Sequence, residues 1–198
     1  MKKFLVFLAD GFEDVEALTV IDYLKRAGIE VDTVSIKGSL KVTSKSNIII
    51  EADQKLEDLE TSSYQGLYIP GGTKGAENLR DCQKVIEIIK EFDRENKTIA
   101  AICAGPIVLN KAGILANKKV TSFPTIKDDL DNVGEYINDQ ILVTDGNITT
   151  SRGAALTNYL AFRLIEILKG KEKLKEIFKG TQQEAIDSYY KISYDYIS

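Results

Sequence analysis

The chain has 198 residues, 43% of them hydrophobic, with a formal net charge of −4, two cysteines and no histidine. At this length folding buries roughly 70% of the unfolded surface, so no disulfide or metal is needed as a staple. The acidic balance without a basic stripe excludes nucleic acid as the main partner. The missing imidazole excludes any Cys-His arrangement confined to this chain and any His-based zinc site.

In chain order, Met1-Lys2-Lys3 precede an apolar run, as in a signal peptide, but Asp10, Glu13 and Asp14 follow at once. Lys3 to Ala9 therefore reads as a first strand. No run is long enough to span a membrane, and two isolated cysteines make no disulfide framework, so the protein is read as cytoplasmic. A helix is predicted from about Glu13 to Ala27, with Ala17, Leu18, Ile21 and Leu24 on its apolar face. Glu13, Asp14 and Glu16 crowd its first turn, where acids complement the helix dipole.

Glu30 to Ile36 is a second strand. Lys41 to Ser44 and Asn47 to Ala52 form a short hairpin around Lys45-Ser46, and Leu56 to Leu59 makes a helical turn. Gly66 to Pro70 is a buried strand followed by Gly71-Gly72-Thr73, a loop that lets backbone approach a ligand and supplies N–H donors. Helices at about Ala76 to Arg80 and Gln83 to Glu95 lead to a strand at Thr98 to Ile102. Lys118 to Ser122 is a further strand, ending at Phe123-Pro124. Ile141 to Thr144 and Ile148 to Ser151 pair across Asp145-Gly146-Asn147, a strong turn sequence. Helices at Ala155 to Leu168 and Lys171 to Phe178 complete a single domain over residues 1–180. Residues 181–198, with Tyr189, Tyr190, Tyr194 and Tyr196, form an extension expected to pack on the body or on a partner.

Alternating strands and helices predict an α/β fold with a mainly parallel sheet and a site at the strands' carboxyl ends. There the segment Ala101-Ile102-Cys103-Ala104-Gly105-Pro106 places a thiol where a buried strand meets a helix. Small-x-Cys-x-Gly is the steric pattern of a nucleophile elbow. Helix-start amides, including that of Ala104, favour thiolate and predict a pKa of ~3.5–7.5 rather than ~8.5. The bland alternative is an inert buried cysteine. Cys82, at a helix start without a motif, reads as inert. The junctions Asp10 to Glu16, Gly71 to Thr73, Cys103 to Gly105 and Ser151 to Gly153 are expected to meet above one crevice. They bring a carboxylate, backbone donors from Gly72, Thr73 and Ala104, a thiol, and Arg152. Arg152 either orients an anionic group or ties loops together.

Ala9 to Glu16, Ile69 to Ala76, Ala101 to Pro106 and Thr150 to Gly153 together resemble the ThiJ/PfpI superfamily, in the branch of the parkinsonism-associated protein deglycase and its bacterial relatives. The resemblance implies a flavodoxin-like three-layer sandwich, a homodimer, and an oxidation-prone Cys103 without cofactor or metal. It also implies that Glu16 is the buried acid beside the sulfur, while Glu13 and Asp14 are solvated. The activities it implies are oxidative-stress sensing, glyoxalase or deglycase action on methylglyoxal and its adducts, and chaperone function. The partners it implies are a small reactive carbonyl or a peroxide.

Two departures shape the expectation. Ala104 stands where protease-like relatives place histidine, against PfpI-type hydrolysis. Phe123 stands where many deglycase relatives carry histidine, which removes a proton shuttle, makes the pocket around Gly71 and Phe123 more apolar, and favours redox sensing over turnover. A flavin- or phosphate-binding module is disfavoured because Asp10, Glu13 and Asp14 would repel phosphate. A chaperone role without cysteine-dependent turnover is the alternative reading.

Overall fold

The computed structural model describes residues 2–191. Seven segments build one sheet: β1 (Lys3–Leu8), β2 (Val31–Ser35), and, after α1 (Asp14–Arg26) and the hairpin β3 (Lys41–Thr43) and β4 (Ile49–Glu51), the short β5 (Gln54–Lys55), then β6 (Tyr64–Ile69), β7 (Thr98–Ile102), and the pair β10 (Leu142–Asp145) and β11 (Ile148–Ser151). The order across this seven-stranded sheet is β10-β11-β7-β6-β1-β2-β5. Every pairing in it is parallel except β10 with β11, which the Asp145-Gly146-Asn147 turn folds back on itself.

Period-two side-chain alternation sorts each buried strand onto two faces. Leu5, Phe7, Leu67, Ile69, Ile99 and Ala101 pack on one side with α2 (Thr73–Arg80), α3 (Gln83–Arg94) and α4 (Pro106–Ala112). Phe4, Val6, Leu8, Tyr68, Ala100 and Ile102 pack on the other with α1, α5 (Thr157–Lys169) and α6 (Lys171–Gly180). The result is the expected three-layer α/β sandwich.

The departures from sequence expectation are local. The expected strand at Lys118 to Ser122 shrinks to β8 (Lys119–Val120), which pairs with β9 (Glu135–Tyr136) in a separate two-stranded sheet. The Thr121 amide turns instead to Thr150 Oγ1, at 2.9 Å, and leaves the ladder. The strand β5 carries no apolar alternation and joins only the sheet edge. The helix α2 starts at Thr73 rather than Ala76, because Gly72, at φ 85°, turns the chain directly out of the strand.

Past α6, the extension forms α7 (Gln183–Tyr190). Its buried contacts are polar: Asn158 donates to Gln183, which donates to Asp187, at 3.2 and 3.0 Å. Tyr189 and Tyr190 are exposed and stack edge to face on each other. Tyr194 and Tyr196 lie outside the described residues. No helix among the described residues is long and apolar enough to cross a membrane.

Candidate active site

The neighbours β1, β6, β7 and β11 lie side by side in the sheet, so the loops leaving their carboxyl ends converge. The order of strands reverses at β1, and such a switch point opens a crevice. Cys103 leaves β7 in the left-handed region, at φ 59°. For a residue with a side chain this costs ~1–3 kcal/mol and persists only where surrounding contacts enforce it. Here the Cys103 amide donates to the Ser151 carbonyl at 3.0 Å, and its own carbonyl accepts from the Phe123 amide at 3.1 Å. A Cβ on Gly105 would lie 2.7 Å from the Ile69 carbonyl oxygen, which is why the elbow needs glycine two positions after the cysteine. The thiol is partly exposed.

Glu16 comes to the sulfur from the first turn of α1 and is only 1% exposed. Its Oε2 accepts the Gly71 amide at 2.9 Å, and its carbonyl accepts the Tyr68 hydroxyl at 3.0 Å. Gly71 is the spacer between acid and thiol. A Cβ there would sit 2.3 Å from Glu16 Oε2 and 2.6 Å from Cys103 Cβ. Burial raises the Glu16 carboxyl to about 7, helped by the Glu13 charge, while hydrogen bonds from Cys103 and Gly71 and the charge of Lys45 act the other way.

The thiol does not follow the expectation of a depressed pKa. Burial, then the Glu16 charge and the hydrogen bond to it, push Cys103 up to about 12, and the amides of Ala104 and Gly72 offset only part of this. The physical reason is that the elbow's donors face a site from which water is largely excluded and in which a second anion already competes for the same space. Carboxyl and thiol are therefore coupled: while Glu16 is charged it opposes thiolate and the sulfur keeps its hydrogen. Protonating the acid removes that opposition.

Several expected site residues take other parts. Thr73, expected as a donor, opens α2 and is exposed; the amides hydrogen-bonded to sulfur are those of Gly72 and Ala104. Arg152 is turned to the Asn138 carbonyl and ties two loops together. Phe123 is 43% exposed, with its ring over Gly153. Glu13 is not solvated as the resemblance implied. It is 8% exposed, caps α1 by accepting the Glu16 amide at 2.8 Å, and pairs with Lys45 at 3.3 Å. Both Asp14 oxygens are likewise shut off from solvent. These acids are covered by the β3–β4 hairpin, whose Lys45 amide donates to the Phe12 carbonyl at 2.9 Å.

Sequence reasoning missed Lys45 and Tyr68. The signal for Tyr68 was present: a phenol inside an otherwise apolar buried strand must find a partner for its hydroxyl. Among the described residues no group of three or more acidic or thiol side chains is placed to hold a metal ion.

The pattern describing the DJ-1/PfpI family matches residues 2–167. The protein dj-1beta of Drosophila melanogaster is 35% identical over 179 residues, covering 90% of this chain and 96% of that protein. Its crystal structure superposes with a TM-score of 0.88 over 92% of this chain and 98% of that one. An oxidised DJ-1 of Toxoplasma gondii is 32% identical, with a TM-score of 0.85 over 92% of this chain and 98% of that chain. A deglycase of Pyrococcus abyssi is 38% identical over 148 residues, 75% of this chain and 88% of that protein. With the four loop motifs, the sheet order and the acid–thiol elbow all in place, this chain belongs to the DJ-1/PfpI family.

Proposed function

We propose that the chain is a cysteine-dependent redox-sensing protein in which Cys103 takes up oxygen from peroxide, with Glu16 as its proton partner. The observation that carries this reading is the hydrogen-bonded acid and thiol on a left-handed elbow, with two backbone amides directed at the sulfur. The sulfur attacks one peroxide oxygen, the O–O bond breaks, and the other oxygen leaves as water after taking a proton. The sulfur is oxidised by two electrons to sulfenic acid, and a second peroxide takes it to sulfinic acid. Glu16 near 7 can hold the proton that the anionic sulfur product attracts. The oxidised state named for the Toxoplasma relative supports the same chemistry.

The same groups support slow glyoxalase or deglycase action on methylglyoxal and its adducts. Sulfur adds to the aldehyde carbon, the amides of Gly72 and Ala104 face the resulting oxyanion, and Glu16 moves the proton. The Pyrococcus relative's name supports that class. Lack of an imidazole keeps it slow. Mild peroxide followed by peptide mapping is expected to find sulfinic acid at Cys103 and not at Cys82, which packs against the core at the start of α3. Equal oxidation of both thiols overturns the reading, and methylglyoxal consumption unchanged in Cys103→Ser removes the catalytic part.

The partner proposed is a second copy of this chain, and the compartment is the cytoplasm, where a thiol starts reduced. Val15 and Leu18 on α1 and Ile48 and Ile49 on the neighbouring hairpin are exposed large apolar residues. Exposed apolar side chains on these two elements suit an isologous interface. Sedimentation is expected to give a dimer that Leu18→Asp with Ile49→Asp converts to monomer; a wild-type monomer at micromolar concentration refutes it.

A further inference from the structure

Phe123 does not behave like the other phenylalanines. Phe4, Phe7, Phe12, Phe92 and Phe162 are each within about one per cent of complete burial and Phe178 is 9% exposed, whereas Phe123 is 43% exposed. It is held beside the reactive group all the same. Its amide donates to the carbonyl of Cys103 itself, and its ring rests on Gly153, where Cδ2 and Cε2 would lie 3.4 and 3.9 Å from a Cβ at that position. The neighbouring Ser151 carbonyl accepts the Cys103 amide, so the ring's support and the thiol's support are the same loop. An aromatic side chain is thus anchored through its backbone to Cys103, rests on the loop that also holds the Cys103 amide, and is left open to solvent.

The charged and polar side chains of the site loops have partners of their own. The Arg152 guanidinium donates to Asn138, Lys45 is paired with Glu13, and Glu16 is hydrogen-bonded to Gly71 and Cys103. Nothing imidazole-like is available in a chain without histidine. Among these groups Lys45 is paired with a carboxylate and Arg152 is turned to a backbone carbonyl, which leaves the Phe123 ring as the exposed apolar group next to Cys103 in the backbone hydrogen bonding.

We infer that the site selects organic hydroperoxides with an apolar substituent over hydrogen peroxide, and that Phe123 is the residue determining this specificity. The inference rests on the redox reading above and names its substrate class. The sulfur attacks the terminal oxygen of R–O–OH and the O–O bond breaks. The alcohol R–OH leaves with a proton, and the sulfur becomes sulfenic acid, so the two electrons lost by sulfur reduce the hydroperoxide. The group R lies against the Phe123 ring in the transition state, where burying one small apolar group gives roughly 10–200-fold discrimination.

The test measures Cys103 oxidation rates with cumene hydroperoxide and with hydrogen peroxide, each divided by the rate for a free low-molecular-weight thiol. The normalised preference for cumene hydroperoxide is expected to be about tenfold or more in wild type. It is expected to fall to about one in Phe123→Ser and to stay within about threefold of wild type in Phe123→Leu, which keeps an apolar wall. A wild-type preference near one, with both reagents oxidising Cys103, overturns the specificity and leaves redox sensing standing. A preference unchanged in Phe123→Ser overturns the assignment to Phe123. A Cys103 inert to both reagents overturns both.

Discussion

Glu16→Gln is expected to make the protein more stable at pH 8, by about 3 kcal/mol, while disabling it. Burial holds the proton on Glu16 to about pH 7, against 4.5 for the ordinary side chain. A carboxyl whose folded pKa is raised binds its proton more tightly in the native state. Its contribution to stability is full below about 4.5 and is lost progressively as pH rises to about 7. Over that window the loss amounts to about 3 kcal/mol, the cost of ionising a group sealed from water. The amide of glutamine never ionises, and its oxygen can still accept the Gly71 amide. Urea unfolding at pH 4.5, 6 and 8 should therefore show wild type falling below the variant as pH rises. Parallel curves would mean that Glu16 is not sealed as described. Because glutamine cannot hand a proton to or from the reacting group, methylglyoxal consumption should drop by ~10²–10⁴-fold in the same variant. Gain of stability with loss of activity is the pattern expected where a site is kept strained for its chemistry.

Gly71→Ala is expected to fail in the opposite way, losing stability and reactivity together. The added methyl would occupy space 2.3 Å from Glu16 Oε2, 2.6 Å from Cys103 Cβ and 3.1 Å from the Ile102 carbonyl oxygen. Glu16 Oε2 ends its side chain but is buried and held by the Gly71 amide, Cys103 is fixed by its backbone hydrogen bonds on both sides, and Ile102 by β7. Overpacking of this kind costs ~1–3 kcal/mol. To relieve it the acid and the thiol must separate, which breaks their hydrogen bond. Denaturant midpoints should fall, and peroxide oxidation of Cys103 should fall by about tenfold, on the order of one lost hydrogen bond, because the thiol loses the carboxylate positioned to take up its proton even as its own raised pKa is relieved. An oxidation rate equal to wild type would show that the acid–thiol contact does not govern reactivity. At Gly28, by contrast, an added Cβ would meet nothing within 4 Å. The obstacle at Gly71 is thus crowding by the reactive pair itself.

How far the sequence could be read depended on whether a feature was local. The short continuous apolar runs in Lys3–Leu8 and Thr98–Ile102 mark strands covered on both faces, a signal carried by neighbouring residues alone, and both strands lie where expected. The elbow at Cys103 was legible for the same reason: small neighbours and Pro106 act within a few residues. The strand β5 was illegible, since two polar residues join the sheet only because β2 offers an edge. So was the truncation of β8, decided by Thr150, a residue 29 positions away from Thr121 in sequence. Glu13 and Asp14 looked solvated because acids at a helix start usually are. The hairpin carrying Lys45 folds over them and closes that route to water.

By itself, then, the sequence determined the alternation of the main strands and helices, the mainly parallel sandwich they build, the position of the elbow cysteine, and the absence of any imidazole beside it. Only the tertiary structure decided which atom keeps the proton. Gly71 reaches Glu16 across 55 residues of chain, and Cys103 arrives from a different strand again. Charge in a protein interior is governed by how completely distant segments exclude water and by which dipoles they leave pointing inward. Neither quantity is a property of the residues that carry the charge, so a thiol that its own helix start would have ionised is held protonated by the packing around it.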